Sequence, residues 1–215
     1  MNRKVSSRTD GDMTRQKILT TSGLLFAANG FSETTNKSIA HAAQVDLASI
    51  NYHFKNRNGL YQCVLAEAHR SIIRLEDLTA IHQLTITADE KLLKLMEIIY
   101  SHAFEEHRWQ IQVLSREILS PTSNFATLLD NEVLPKIQLI KSILSEVSGI
   151  PINSPTLLPC LISSMAPYLM LIVTGRNQLT PLQPLKKIPQ HQLVNQLYTF
   201  VLAGLKAVGK QELYI

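Results

Sequence analysis

Apolar positions recur at helical spacing along nearly the whole chain, and no segment alternates apolar and polar residues for long enough to read as a strand. Ile18, Leu25 and Phe26 share one face, which predicts a first helix starting near Asp12 or Thr14. It should end at Asn29-Gly30-Phe31, with Gly30 in the left-handed position that closes helices. Thr35 is placed to cap a short second helix carrying Ile39, Ala40 and Ala43. Gln44-Val45-Asp46 then makes a turn, and Asp46 caps a third short helix that runs to about Phe54. Asn56-Arg57-Asn58-Gly59 breaks the chain before a long helix through Leu60, Val64, Leu65, Ala68, Ile72 and Leu75. Further helices are expected at about 88–107, 109–119, 123–148, 155–175 and 190–209. Pro121, Gly149-Ile150-Pro151, Gly175 and Pro181, Pro184 and Pro189 separate them, and Pro135 should kink or split the 123–148 helix. The expected fold is all-α with about nine helices. A three-helix helix-turn-helix comes first, and a larger helical part follows.

In the third helix, Leu47, Ile50 and Phe54 fall within one sector at 100° per residue, and Ile39, Ala43 and Val45 of the preceding segment face inward with Ile50 and Phe54. The opposite sector carries Ala48, Ser49 and Tyr52, with Lys55 beside them and His53 at the edge. Small residues at the start of a helix let its backbone approach base edges, and polar or basic residues at the margins hold phosphates.

Composition sharpens this. The chain has 215 residues, 45% of them hydrophobic and 18% charged, and is long enough to bury a core without staples. Its net charge of +4 lies entirely in residues 1–70, where nine basic residues face five acidic ones; the remainder is balanced. A polyanionic partner would therefore be drawn to the first third. Residues 1–12 are polar, lack the apolar run of a secretory signal, and read as a flexible basic tail. Cys63 and Cys160 match no metal or redox spacing and are expected as buried thiols in a reducing, cytoplasmic setting. Residues 147–175 carry no formal charge, but Pro159 and Pro167 interrupt them and serines dilute them. They read as a helix buried in a core or dimer interface and not as a membrane span.

Thr35 to Leu60 contains S-I-A-H-A-A-Q-V-D-L-A-S-I-N-Y-H-F-K-N-R-N-G-L, preceded by A-A-x-G-F-x-x-T-T from Ala27. In order and spacing these motifs resemble the tetracycline-repressor (TetR) family of bacterial transcription regulators, over about residues 14–65. The resemblance implies a homodimer that binds a palindromic operator in double-stranded DNA as a transcriptional regulator, in the usual case a repressor released by a small-molecule effector. It implies a DNA-binding domain at 13–60 and a ligand-binding and dimerisation domain at 61–215. By position, Thr35 and Lys37 would contact phosphates. Leu47, Ala48 and Ser49 would meet base edges, and Asn51, Tyr52 and His53 phosphate or base. Lys55 or Arg57 would grip phosphate where the long helix begins. Two positions depart from the family pattern. Gln44 stands where the turn usually carries Gly, so it would be forced to positive φ at roughly 1 kcal/mol, and Leu47 makes base readout more apolar.

The stretch R-E-I-L-S-P-T, Arg116 to Thr122, resembles a sub-branch with a CerR-like C-terminal domain. In the family the last two helices pair subunits. Here Leu193, Leu197, Phe200, Val201, Gly204 and Leu205 form an apolar stripe suited to that role. Polar or aromatic groups on the apolar central helices are candidates to line a ligand pocket: Tyr100, His102, Trp109, Gln112, Arg116, Met165 and Tyr168. An arginine aimed into an apolar cavity would suit an anionic ligand. His102 and Glu106 share a face, but His107 is rotated away and the order is not HExxH, so no metal is expected. No nucleophile elbow, phosphate loop or paired acids occur, so neither enzymatic activity nor a cofactor is expected.

Overall fold

The computed structural model describes residues 4–101, 108–174 and 183–212, and every regular element among them is helical. Its contacts divide the chain into two compact units, Met1–Ser71 with His107–Leu129, and Ile72–Glu106 with Asp130–Ile215.

The first unit contains α1 (Lys4–Glu33), α2 (Asn36–Ala43), α3 (Leu47–Phe54), α4 (Arg57–Arg70), α7 (Trp109–Leu119) and the short α8 (Phe125–Leu128). Ile18, Phe26, Ile39, Ile50, Leu60 and Leu65 are fully buried and form its centre. α1 packs against α2, α4 and α7, and α3 packs on α4. The helix already runs at Lys4, ahead of the expected cap at Asp12 or Thr14, so from Lys4 the segment expected as a tail is helical. A packed downstream helix is the nucleus here, and each added residue then costs only propagation. Gly30 has positive φ as expected, but its ψ of 172° is extended and not left-handed helical, and a further turn follows before Thr34.

The second unit contains α5 (Leu75–Gln83), α6 (Ala88–Ser101), α9 (Leu134–Ser148), α10 (Leu157–Thr174) and α11 (Gln190–Glu212). Leu78, Leu92, Leu95, Met96, Ile143, Leu144 and Leu157 are fully buried in its core. The helix expected to continue through Leu75 stops at Arg70 and restarts at Leu75. No Gly or Pro marks that break. It is made by a one-way cap at the start of α5, in which the Asp77 carboxylate accepts the Arg74 backbone N–H at 3.3 Å and the Arg74 guanidinium at 3.0 and 2.9 Å. The expected 123–148 helix is instead α8, a π-helical turn at Leu129–Val133, and α9. Pro135 sits in the first turn of α9, where its missing N–H costs nothing, so the chain widens before it and does not kink at it. Glu132 and Lys136, both nearly fully buried, pair at 3.3 Å across this junction.

α11 crosses the end of α9 at contact distance. A Cβ on Gly209 would lie 1.8 Å from the Ser148 carbonyl oxygen. The stripe expected along α11 separates into two faces, with Leu193, Val201 and Leu205 buried in the unit while Phe200 and Gly204 are exposed. Cys160 is buried, which raises its thiol pKa, and Cys63 is half-buried; both are free. No helix among the described residues is long and apolar enough to cross a membrane.

Candidate nucleic-acid interface

The helix-turn-helix is built by local chemistry. Thr35 caps α2: its hydroxyl accepts the Ser38 N–H at 3.1 Å, and the Ser38 hydroxyl accepts the Thr35 N–H at 3.1 Å. α2 ends on Gln44 at φ 51°, ψ 51°, the left-handed conformation expected for that position. The Val45 N–H donates back to the Ala40 carbonyl at 3.0 Å and closes the turn. Asp46 stands at the start of α3 as expected, but its side chain makes no capping hydrogen bond.

α3 buries Ile50 and Phe54 and presents its other side. Tyr52 is 84% exposed and Leu47 48% exposed. Ala48, Asn51 and Lys55 are exposed with them, while Ser49 and His53 are half-buried. The Tyr52 and His53 rings meet edge to face at 4.9 Å. Thr35 and Lys37 are exposed at the start of α2. The Arg15 guanidinium of α1 lies 5.1 Å over the Phe54 ring, a basic group beside α3 that helical periodicity alone did not single out.

Between α3 and α4 the backbone is forced. Lys55 has φ 67°, ψ −54°, and the Asn56 N–H donates to the Phe54 carbonyl at 2.8 Å. That is a tight three-residue turn of the rare, strained hand. Such strain persists only where surrounding structure over-determines it. Asn56 then caps α4 by accepting the Gly59 N–H at 2.9 Å, and a Cβ at Gly59 would stand 2.3 Å from the Phe54 carbonyl oxygen.

Arg57 is not presented with the others. Its guanidinium donates to the Phe31 carbonyl and, at 3.3 Å, to that of Ser32, and lies 4.2 Å over the Phe31 ring. Of the two residues expected to grip phosphate there, α4 turns Arg57 back onto the end of α1, and Lys55 is the exposed one.

The candidate pocket residues fall in both units. Tyr100 and Tyr168 are both buried in the second unit with their rings 5.5 Å apart edge to face, and burial pushes the Tyr100 phenol up to about 12. Met165 is half-buried on α10. Trp109, Gln112 and Arg116 belong to α7 in the first unit. Trp109 lies against Gly23, where a Cβ would come within 2.5 Å of the indole. Arg116, expected to point into an apolar cavity, donates from Nε to the Ala27 carbonyl at 2.8 Å and from Nη2 to the Ala28 carbonyl at 2.7 Å. Helix-end carbonyls lack donors of their own, and that need claims the guanidinium. His102, and the Glu106 and His107 considered with it, lie outside the described residues. Among the described residues no three His, Cys, Asp or Glu side chains could hold a metal. An open groove of about 550 Å³ between α6 and α11, lined by Leu93, Glu97, Gln190, His191, Val194 and Asn195, includes none of the candidates.

Tyr61 and Glu117 were not foreseen. The Tyr61 hydroxyl donates to one Glu117 oxygen at 2.8 Å, and the other oxygen accepts the Thr122 N–H and hydroxyl, each at 2.8 Å. Burial and the facing carboxylate raise the Tyr61 phenol pKa well above its ordinary value. The R-E-I-L-S-P-T stretch was the available signal, since its Arg, Glu and Thr are the residues engaged.

Residues 18–64 match the model of bacterial regulatory proteins of the tetR family, and residues 88–205 match that of the C-terminal domain of the HTH-type transcriptional dual regulator CecR. The second contains Arg116 to Thr122, the stretch that resembles this sub-branch. A protein of Bacillus subtilis (strain 168), described as a probable HTH-type transcriptional regulator, YttP, is 26% identical over 133 residues, 62% of this chain. The chain spans 64% of that relative's length. A TetR-like transcriptional regulator from Rhodococcus sp. RHA1 superposes with a TM-score of 0.64 at 15% identity, over 89% of this chain and 95% of its own. The fatty acid degradation regulator FadR from Bacillus halodurans does so at 0.65 and 18%, over 90% and 96%. The capped α2, the tight turn at Gln44 and the exposed face of α3 are thus held on a fold shared with these proteins, and the chain belongs to the tetR family of bacterial regulatory proteins, in the branch with a CecR-type C-terminal domain.

Proposed function

We propose that the protein is a sequence-specific DNA-binding transcriptional regulator, a repressor that acts in the cytoplasm as a homodimer and leaves a palindromic operator when a small molecule binds. The observation that carries this reading is the face of α3. Ile50 and Phe54 anchor it, and Leu47, Ala48, Asn51 and Tyr52 stand in solvent with no packing role to explain them. Leu47 and Ala48 suit thymine methyls, and Asn51 suits an adenine edge. Thr35, Lys37 and Lys55 flank the face with donors for phosphate.

In this proposal residues 13–60 read DNA, and residues 61–215 hold the effector and pair the subunits. The pairing surface is an apolar stripe on the last two long helices: Leu158, Ile162, Leu169 and Met170 of α10, and Phe200 of α11, all exposed. A two-fold partner presenting the same stripe would cover it. Two α3 helices about 34–36 Å apart enter successive major grooves. An effector that favours a different separation lowers DNA affinity by its differential binding to the two arrangements. Selection of bound sequences from random duplex DNA tests the reading. The expected result is a palindrome with half-sites one helical turn apart; recovery of no sequence above background overturns it.

A further inference from the structure

α1 ends badly as a helix. The break at Gly30 leaves carbonyls on both sides of it without helical donors, and two arginines from different helices supply them. Before the break, Arg116 of α7 bonds the carbonyls of Ala27 and Ala28. After it, Arg57 in the first turn of α4 bonds those of Phe31 and Ser32 and covers the Phe31 ring. The Gly30 carbonyl between them accepts the Thr34 hydroxyl at 2.8 Å. The two grips are joined through the interior. The Phe31 ring is 4.6 Å from that of Tyr61, and Tyr61 bonds Glu117, the neighbour of Arg116 on α7. Glu117 is only 1% exposed, and its carboxylate is satisfied by Tyr61 and Thr122 together.

The two helices that make the interface depend on what this clamp joins. α2 packs on α1, and α3 packs on α4. α2 and α3 also pack on each other, and the angle between α1 and α4 acts together with that contact to set where α3 stands relative to α2. We propose that Arg57 and Arg116 are positioning residues of the DNA interface, acting on it only by pinning the broken end of α1 to α4 and α7. The proposal rests on the DNA-binding reading above. It removes Arg57 from the phosphate contacts and Arg116 from the effector contacts. Base-edge hydrogen bonds weaken steeply with misalignment, so a small rotation of α3 is felt at every contact.

The full-length chain, carrying Arg57→Gln, Arg57→Lys, Arg116→Gln or Arg116→Lys, is titrated with the selected operator duplex across salt concentration. A lysine keeps the charge but cannot span two carbonyls with a planar fork or stack as a guanidinium does. The expected result is a loss of affinity of about 10-fold or more in all four variants, the cost of one impaired base-edge contact, with the log–log salt slope unchanged. A direct phosphate contact behaves otherwise: its Gln variant lowers the slope by about 1 while its Lys variant binds like wild type. That pattern at Arg57, or wild-type affinity in the Arg116 variants, overturns the proposal.

Amide hydrogen exchange of the DNA-free protein over residues 27–34 gives a second readout, taken on the Lys variants so that it holds even if the Gln variants do not fold. Exchange is expected to quicken about 10-fold, and unchanged protection overturns the clamp. A wild-type protein that binds no duplex would sink the DNA-binding reading alone, and the exchange measurement would still decide the clamp.

Discussion

At the scale of single residues, the interface is marked by backbone conformations that its side chains do not favour. Gln44 and Lys55 are the non-glycine residues with positive φ among the described residues, and they bracket α3. The left-handed conformation costs a non-glycine residue roughly 1–2 kcal/mol, and glycine returns part of that through its more disordered unfolded chain, roughly 0.5–1 kcal/mol. Gln44 is exposed, so its side chain contributes little packing. Gln44→Gly should therefore stabilise the protein by about 0.5–1 kcal/mol, read as a higher denaturation midpoint with unchanged slope. A lower midpoint would show that the glutamine side chain does more than fill the turn. At Lys55 the same relief would come at the expense of a charge beside the exposed face. Tyr52→Ala and Lys55→Ala should leave folding and dimerisation intact and weaken DNA binding across all sequences. Lys55→Ala should also lower the salt slope by about 1, as the loss of one phosphate contact does. Wild-type affinity in both would place the reading face elsewhere on the molecule.

At the scale of elements, most helix ends marked by a cap or a glycine were legible, the start of α1 at Lys4 and its continuation past Gly30 excepted. Thr35, Gln44, Asn56 and Gly149 all stand at helix ends in the structure. The break at 71–74 was not legible, because its signal is a pairing of two particular side chains, Arg74 with Asp77 three residues on, and not a residue type that stops helices. The π turn before Pro135 was half legible: proline announces a disturbance but not which turn absorbs it. The exposed face of α3 could be read because a short helix with two buried anchors leaves the rest outside. The engagement of Arg57 and Arg116 could not, since helical spacing places a side chain on a face without saying which carbonyl it reaches. Gly209 belongs to this class too. Nothing in Val208-Gly209-Lys210 announces that α11 touches the Ser148 carbonyl there. A methyl at that place must push the helices apart, so Gly209→Ala should destabilise by about 1–3 kcal/mol despite the better helix propensity of alanine. A neutral or stabilising result in denaturant unfolding would mean that α9 and α11 are free to slide.

At the scale of the whole molecule, a single copy leaves apolar surface uncovered on α10 and α11. Ile162 is 60% exposed on α10 and Phe200 79% exposed on α11, and neither serves the core of its own unit. Gly204 on α11 has open space around it, room for a second backbone to approach. If these surfaces pair two copies, a charge at each should separate them, because an unpaired carboxylate cannot be buried cheaply between apolar helices. Ile162→Glu with Phe200→Glu should give a folded monomer by sedimentation. Its α3 should keep the contacts of one half-site but lose the linkage that makes the second contact intramolecular. Operator affinity should then fall on the order of 100-fold or more, the salt slope should drop toward half, and a duplex carrying one half-site should bind the variant and the wild type alike. A monomer that kept full affinity for the palindrome would separate DNA reading from pairing. A variant that stayed dimeric would move the pairing surface off α10 and α11.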